Sequence, residues 1–235
     1  MVAGCALATV ALVSACGDDE KSRADMDPKK IAEAAAAHTK QSRTVTVAGI
    51  GTDKNGARLE TQACVAISAD GNTSSSKGTT TVDGVPAEVI GTGGKSYVKA
   101  PGAFYARKAG LADPAAAAKF DRAVGGKYVV GDDDGSQNTA DFFEGKTDGL
   151  TKGNITDFHG KKAVPLSWTD ADGTRKTVYV AAVGDPAVVG QSEENGQARA
   201  ETTVSGYGAP CDVAAPPAEE TMTEAQARQA VAAQQ

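Results

Sequence analysis

Leu59-Glu60-Thr61-Gln62-Ala63-Cys64-Val65-Ala66-Ile67-Ser68 is the stretch that decides the fold. Leu59, Thr61, Ala63, Val65 and Ile67 fall on one side of an extended chain, and Glu60, Gln62, Cys64, Ala66 and Ser68 on the other. A period of two, with one side apolar, marks a strand whose sheet meets a core on one face and water on the other. Turn signals bound it. Asp53-Lys54-Asn55-Gly56 precedes it, and Asn-Gly supplies the positive φ angles of a tight hairpin. Asp70-Gly71 follows it. The neighbours repeat the pattern. Arg43 to Gly51 is rich in Thr and Val; Thr73 to Val82 is nearly all Ser and Thr, so its apolar face is poorly marked. Asp83-Gly84 turns into Val85, Ala87 and Val89, and Gly93-Gly94 leads to Ser96-Tyr97-Val98-Lys99. Five strands joined by short turns form an antiparallel meander.

Upstream of the meander, Asp27-Pro28 is a helix start, with Asp at the N-cap and Pro at the first helical position. Ile31, Ala35 and His38 share one face of that helix, which ends near Gln41. Downstream, the strand pattern breaks at Pro101. Asp113-Pro114 repeats the helix start, and Ala115 to Val124 continues it up to Gly125-Gly126. Lys127 to Val130 is short and extended, and Ser136 to Glu144 forms a short helix that buries Phe142 or Phe143. Strand signals resume at Gly153 to His159, Lys162 to Thr169 and Thr174 to Val183, with Asp170-Ala171-Asp172-Gly173 turning between the last two. A final strand spans about Ala198 to Ser205, and Cys211-Asp212-Val213 is a last extended piece. Thr223 and Gln226 are spaced as a capping box. Helix, strands, helices, strands is an α+β order built on one large antiparallel sheet.

The N-terminus speaks to location. Val13-Ser14-Ala15-Cys16 closes the apolar run Val2 to Ala15, and charged Asp18-Asp19-Glu20 comes soon after. An apolar residue, two small residues and cysteine form the lipobox pattern of bacterial lipoproteins, in which the Cys16 thiol receives a diacylglyceryl group and the bond before it is cut. Val-Ser-Ala also fits an ordinary secretory cleavage site. The basic n-region of such signals is missing, since no Lys or Arg precedes Lys21. An apolar run this short cannot span a bilayer, which needs about 20 residues. The expected organisation is a signal peptide at 1–15, a lipidated flexible tether at 16–27, one domain at 28–217, and a C-terminal tail at 218–235, disordered or loosely helical. The expected location is the extracytoplasmic side of the cell membrane, with the membrane engaged through the N-terminal lipid.

Acidic residues outnumber basic ones, 30 to 24, and the signs are interspersed, so nucleic acid is not an expected partner. With Cys5 in the signal and Cys16 lipidated, Cys64 and Cys211 remain. In an exported protein they form a candidate disulfide; two unpaired buried thiols are the alternative. His38 and His159 are the only histidines, and neither has Cys or carboxylate partners at ligand spacing. No metal site is expected from them. Asp132-Asp133-Asp134-Gly135 fails as a calcium loop, because its first ligand position would be Val130. There is no nucleophile elbow, phosphate loop or dinucleotide fingerprint. Neither an enzyme nor a cofactor is expected.

Behind the lipobox, the opening helix runs into Thr44-Val45-Thr46-Val47-Ala48-Gly49, and Gly94-Lys95-Ser96-Tyr97-Val98-Lys99 follows. Then come Gly126-Lys127-Tyr128-Val129-Val130, Val178-Tyr179-Val180-Ala181, Gly184-Asp185-Pro186 and Val204-Ser205-Gly206-Tyr207-Gly208-Ala209-Pro210 with Pro216. In this order the pieces resemble the LppX/LprG-type lipoproteins, relatives of the LolA/LolB carriers. The resemblance implies a half-barrel: one curved antiparallel sheet, helices over its concave face and a lipid-sized apolar cavity between. Lys127-Tyr128 stands where that pattern commonly has tryptophan, and the cysteine pair is not part of it. By alternation the concave face should carry Val45, Val47, Leu59, Val65, Ile67, Val89, Val98, Leu166, Trp168, Val178 and Val180. Trp168, the sole tryptophan, either touches a ligand there or belongs to the core. The implied function is to bind or carry a lipid or other apolar molecule; the alternative is an envelope interaction protein with a fully packed sheet and no ligand.

Overall fold

In the computed structural model, which describes residues 22–53, 56–111, 113–132 and 141–234, two Asp-Pro pairs start the two longest helices. The Asp27 carboxylate accepts from the Lys29 amide at 2.9 Å ahead of α1, Pro28–Ser42. The Asp113 carboxylate accepts from the Ala115 amide at 3.0 Å ahead of the helix Pro114–Val124. Proline is harmless there because a first-turn amide has no helical partner. The second helix stops at Gly125, whose φ of 59° is left-handed and suits glycine.

The meander is present as read: β1 Thr44–Thr52, β2 Arg58–Ile67, β3 Ser74–Val82, β4 Val85–Thr92 and β5 Lys95–Lys99, each antiparallel to the next. Lys54 and Asn55 of the first turn lie outside the described residues, but its flanks close as expected, the Gly56 amide donating to the Asp53 carbonyl at 3.0 Å. Next come α2 Gly102–Lys108, α3 (the Pro114–Val124 helix) and β6 Tyr128–Asp132. Then follow β7 Thr151–Lys152, β8 Thr156–Phe158, β9 Lys161–Thr169, β10 Arg175–Ala181, β11 Val188–Asn195, β12 Ala198–Ser205, β13 Thr221–Thr223 and α4 Glu224–Ala232. All strands join one open sheet in the order β13-β6-β5-β4-β3-β2-β1-β12-β11-β10-β9-β7, with β8 paired to β9. The fold is α+β, a large open sheet with helices.

Register sorts the side chains. Val45 lies opposite Val65, Val47 opposite both Ala63 and Val204, Val89 opposite Val98, and Val178 opposite Leu166. Directly opposed residues project to the same side. Ile31, Ala32 and Ala35 of α1 share one buried cluster with that side, which is therefore the inner face.

The structure departs from the expectations in four places. The tether does not run free to residue 27. Arg23–Asp25 is a short 3-10 turn, and Arg23 is only 8% exposed. Its amide donates to the Ala182 carbonyl at 2.8 Å, and its guanidinium to the carbonyls of Ala181 and Gly184. The C-terminal tail is helical in part, and its described residues, 218–234, also join the sheet. β13 pairs in parallel with β6, the one parallel pairing among the described strands, and α4 carries the full capping box of Thr223 and Gln226. β11 and α2 were not expected at all. Finally, both Phe142 and Phe143 are buried; most of the Ser136–Glu144 helix lies outside the described residues, and its end is a turn.

The parallel pairing requires a long crossing. The chain leaves β12 beside β1 and pairs again at β6, so residues 206–220 must traverse β1 to β6. They do so over the outer face. Cys64, on the polar side of β2, is bonded to Cys211, with Cα atoms 5.8 Å apart. Ile90 stands in the same outer row, through Cys64 opposite Lys77 and Lys77 opposite Ile90, and it is buried. This strap explains why an outward isoleucine is covered. Tyr128, also outward and buried, lies beside Thr221 where the strap ends.

Candidate functional site

All eleven candidate wall positions project from the inner face, but they divide into two environments. Val45, Val47, Val65, Leu166, Trp168, Val178 and Val180 belong to one closed cluster with Ile31, Ala32, Ala35, Phe142, Phe143 and Leu150. None of these seven is more than 9% exposed. They are core. Ile67 is buried outside that cluster. Leu59, Val89 and Val98 are half-buried.

Val89 and Val98 lie where the helical layer is α2 and α3. Tyr105 of α2 donates its hydroxyl to the Val98 carbonyl at 2.7 Å and stacks on Phe120 of α3 at 6.0 Å. Burial pushes the Tyr105 hydroxyl up to about 12, so it stays a neutral donor. The two helices fit each other closely. The Gly102 amide donates to the Asp121 carboxylate, and a Cβ at Gly102 would lie 1.9 Å from the Ala117 carbonyl oxygen. Beneath them the sheet floor is made of small residues. Val65 is opposite Ser76, Ser76 opposite Gly91, Gly91 opposite Ser96, and Ser96 opposite Gly131. This is why β3 reads as so polar a strand: on this stretch the inner face carries little bulk. Phe120, Tyr105, Val89 and Val98 are apolar and partly exposed, and at the far end of the floor Glu224 of α4 stands against Gly131.

The inner face also opens at one end of the sheet, in a cleft of about 320 Å³ lined by Gly51, Leu59, Glu193, Asn195 and Ala200 among others. Another cleft, of about 380 Å³, lies on the outer face between Ile50, Gln62, Thr79, His159 and Glu201. His159 there meets the Glu201 carboxylate at 2.6 Å. His38 lies against the Tyr207 ring, 5.0 Å between centroids. Among the described residues no group of three or more His, Cys, Asp or Glu could hold a metal ion. Cys16 and the lipobox lie outside the described residues, and no described helix is long and apolar enough to cross a membrane.

Trp168 is pinned by charge. Its Nε1 donates to Asp170 at 3.1 Å, and the Lys146 ammonium sits 5.6 Å from its ring centroid. Lys146 and Lys176 both pair with Asp170, and Lys176 also pairs with Glu144. The Lys146 hydrogen bond, joined by Lys176, holds the Asp170 carboxyl below its ordinary value. Burial works against the charge on Lys176, yet Glu144, Glu193 and Asp170 together keep its pKa above the usual lysine value. These pairs tie segment 144–146, with neighbours Phe142 and Phe143, to the rim of the sheet. A carboxyl with a lowered folded pKa stabilises fully above its unfolded value of 3.8, and that contribution fades as pH falls through the lower folded value. Asp170→Asn is therefore expected to lower Tm at pH 7, with the gap to wild type narrowing toward pH 3 in paired thermal melts. A gap that stays constant with pH would mean that the ion pairs contribute nothing.

No family model and no curated protein matches the sequence. Solved structures do match in fold. LprF from Mycobacterium bovis superposes with a TM-score of 0.51 at 16% identity, over 80% of this chain and 96% of that one. The Mycobacterium tuberculosis lipoprotein LppX superposes with a TM-score of 0.50 at 15% identity, over 79% of this chain and 97% of that one. The resemblance read from the ordered sequence pieces is thus borne out at the level of fold.

Proposed function

We propose that the protein is a membrane-anchored lipoprotein that holds a lipid or similar apolar molecule between its sheet and the α2–α3 pair. One observation carries this reading: Val89, Val98, Tyr105 and Phe120 stay partly exposed beside a small-residue floor, while the α1 half of the inner face is closed. The lipobox at Cys16 supports the anchor, as does the fold shared with the lipoprotein LppX. The mechanism is burial without a covalent step. An acyl chain gains about 0.8 kcal/mol for each CH₂ taken out of water. Entry and release would move α2 and α3 as a unit, because they interlock at Gly102 and Ala117 but reach the sheet through few polar contacts, Tyr105 to Val98 and Arg107 to Asp83.

Native purification followed by lipid extraction and mass spectrometry tests this directly. Val98→Trp is expected to fold and to carry much less lipid than wild type, since it fills the open half. Val65→Trp is the contrast. Val65 is fully buried, so overpacking there costs about 1–3 kcal/mol of stability. Equal lipid recovery from wild type and Val98→Trp would sink the carrier reading. The seven closed positions favour the second reading, an envelope interaction protein without a ligand, and that reading predicts no co-purifying lipid at all.

A further inference from the structure

We propose that the end of the domain carrying Met26, Ile155 and Val183 rests on the bilayer surface, held there by the Arg23 clamp. This rests on the lipid anchor at Cys16 proposed above. The first argument is length. Arg23 fixes the chain to the end of β10 through the carbonyls of Ala181, Ala182 and Gly184. A buried guanidinium keeps its charge only where such acceptors replace water, so the clamp is specific. Lys152 adds to it, its ammonium donating to the Ala24 and Met26 carbonyls. Only six residue steps then separate Cys16 from Ser22, and whatever their path they reach at most about 22 Å. Were Arg23 not docked, eleven steps would run to Asp27 with a reach of about 40 Å.

The second argument is surface chemistry. Among the described residues five large hydrophobic side chains are exposed: Met26 at 37%, Ile50 at 57%, Leu111 at 47%, Ile155 at 39% and Val183 at 46%. Three of them lie at the anchored end. Met26 follows the clamp directly, and Val183 lies between two of its acceptor residues. Thr156 pairs with Ala163 and Ala163 with Ala181, which brings Ile155 to the same end. Apolar side chains on a face that the anchor holds within about 22 Å of the membrane match the acyl–headgroup boundary. Ile50 lies toward the other end, level with Glu201, Ser192 and Thr177. The cleft at Gly51, Leu59 and Ala200 then opens away from the bilayer.

The test uses the natively lipidated full chain in phosphatidylethanolamine–phosphatidylglycerol vesicles whose acyl chains are brominated, which quench nearby tryptophan. Wild type measures the constant emission of Trp168. Val183→Trp is expected to lose most of its added emission, and Ile50→Trp none. Adding Arg23→Ala to Val183→Trp is expected to restore emission while the intact mass still shows the lipid. No quenching at position 183, or equal quenching at 183 and 50, would overturn the docking while leaving the anchor in place. An unmodified Cys16 in the intact mass would overturn the anchor and the docking with it.

Discussion

Replacing both bridge cysteines, Cys64→Ala with Cys211→Ala, is expected to lower unfolding stability by as much as about 5 kcal/mol, the chain-entropy value for so long a loop and an upper figure. The bridge spans a sequence separation of 147 residues. Denaturant unfolding of the oxidised wild type and the double variant measures the loss. The damage should also be local. Tyr207 still donates to the Val188 carbonyl and the Gly208 amide to Thr44, so the strap stays seated at its start. Residues 211–220 lose their fixed point, and limited proteolysis should cut there first. An unchanged unfolding midpoint with an intact strap would assign its hold to β13 rather than to the bridge.

Leu166→Ala is expected to cost about 2–5 kcal/mol, by lost transfer energy plus the cavity left in a cluster that cannot collapse. Leu166 is fully buried in the cluster that also holds Val178 and the α1 residues Ile31 and Ala35. Val98→Ala on the open half should cost less, about 1 kcal/mol, because Val98 is only partly buried and the surface it removes from water is smaller. Chemical denaturation of the two variants separates the halves of the inner face. Equal losses would mean that the α2–α3 half is as closed as the rest.

That contrast shows what alternation can and cannot convey. A period of two put all eleven candidate residues on one face, and the register agrees. It carries no information on depth, which is set by what lies above the sheet: Ile31 and Ala35 of α1 and Phe142 and Phe143 over one half, the interlocked α2 and α3 over the other. The helices announced by Asp27-Pro28 and Asp113-Pro114 were legible because their caps are local chemistry. β11 was not legible. Its apolar part is only Val188 and Val189, buried on opposite faces, with a register shift beside them, and Gln191 to Asn195 is polar on both sides. β13 was invisible for a different reason. Three residues have no period, and their pairing with β6 depends on a strap laid across six strands. Arg23 was lost inside a charged stretch, since nothing in Lys21 to Asp27 distinguishes a buried arginine from a solvated one.

The strap imposes an order in time. Cys211 can meet Cys64, and Thr221 can meet Tyr128, only after β12 has docked on β1 and the meander has formed. Contacts so distant in sequence make for slow folding, because their loops must close before any contact rewards the closure. Until β13 arrives, β6 presents bare backbone amides and carbonyls at the sheet's edge, a template for pairing with another chain. β13 and α4 thus act as a seal applied at the end of folding, and a chain shortened before Thr221 should refold into a sheet that aggregates through β6.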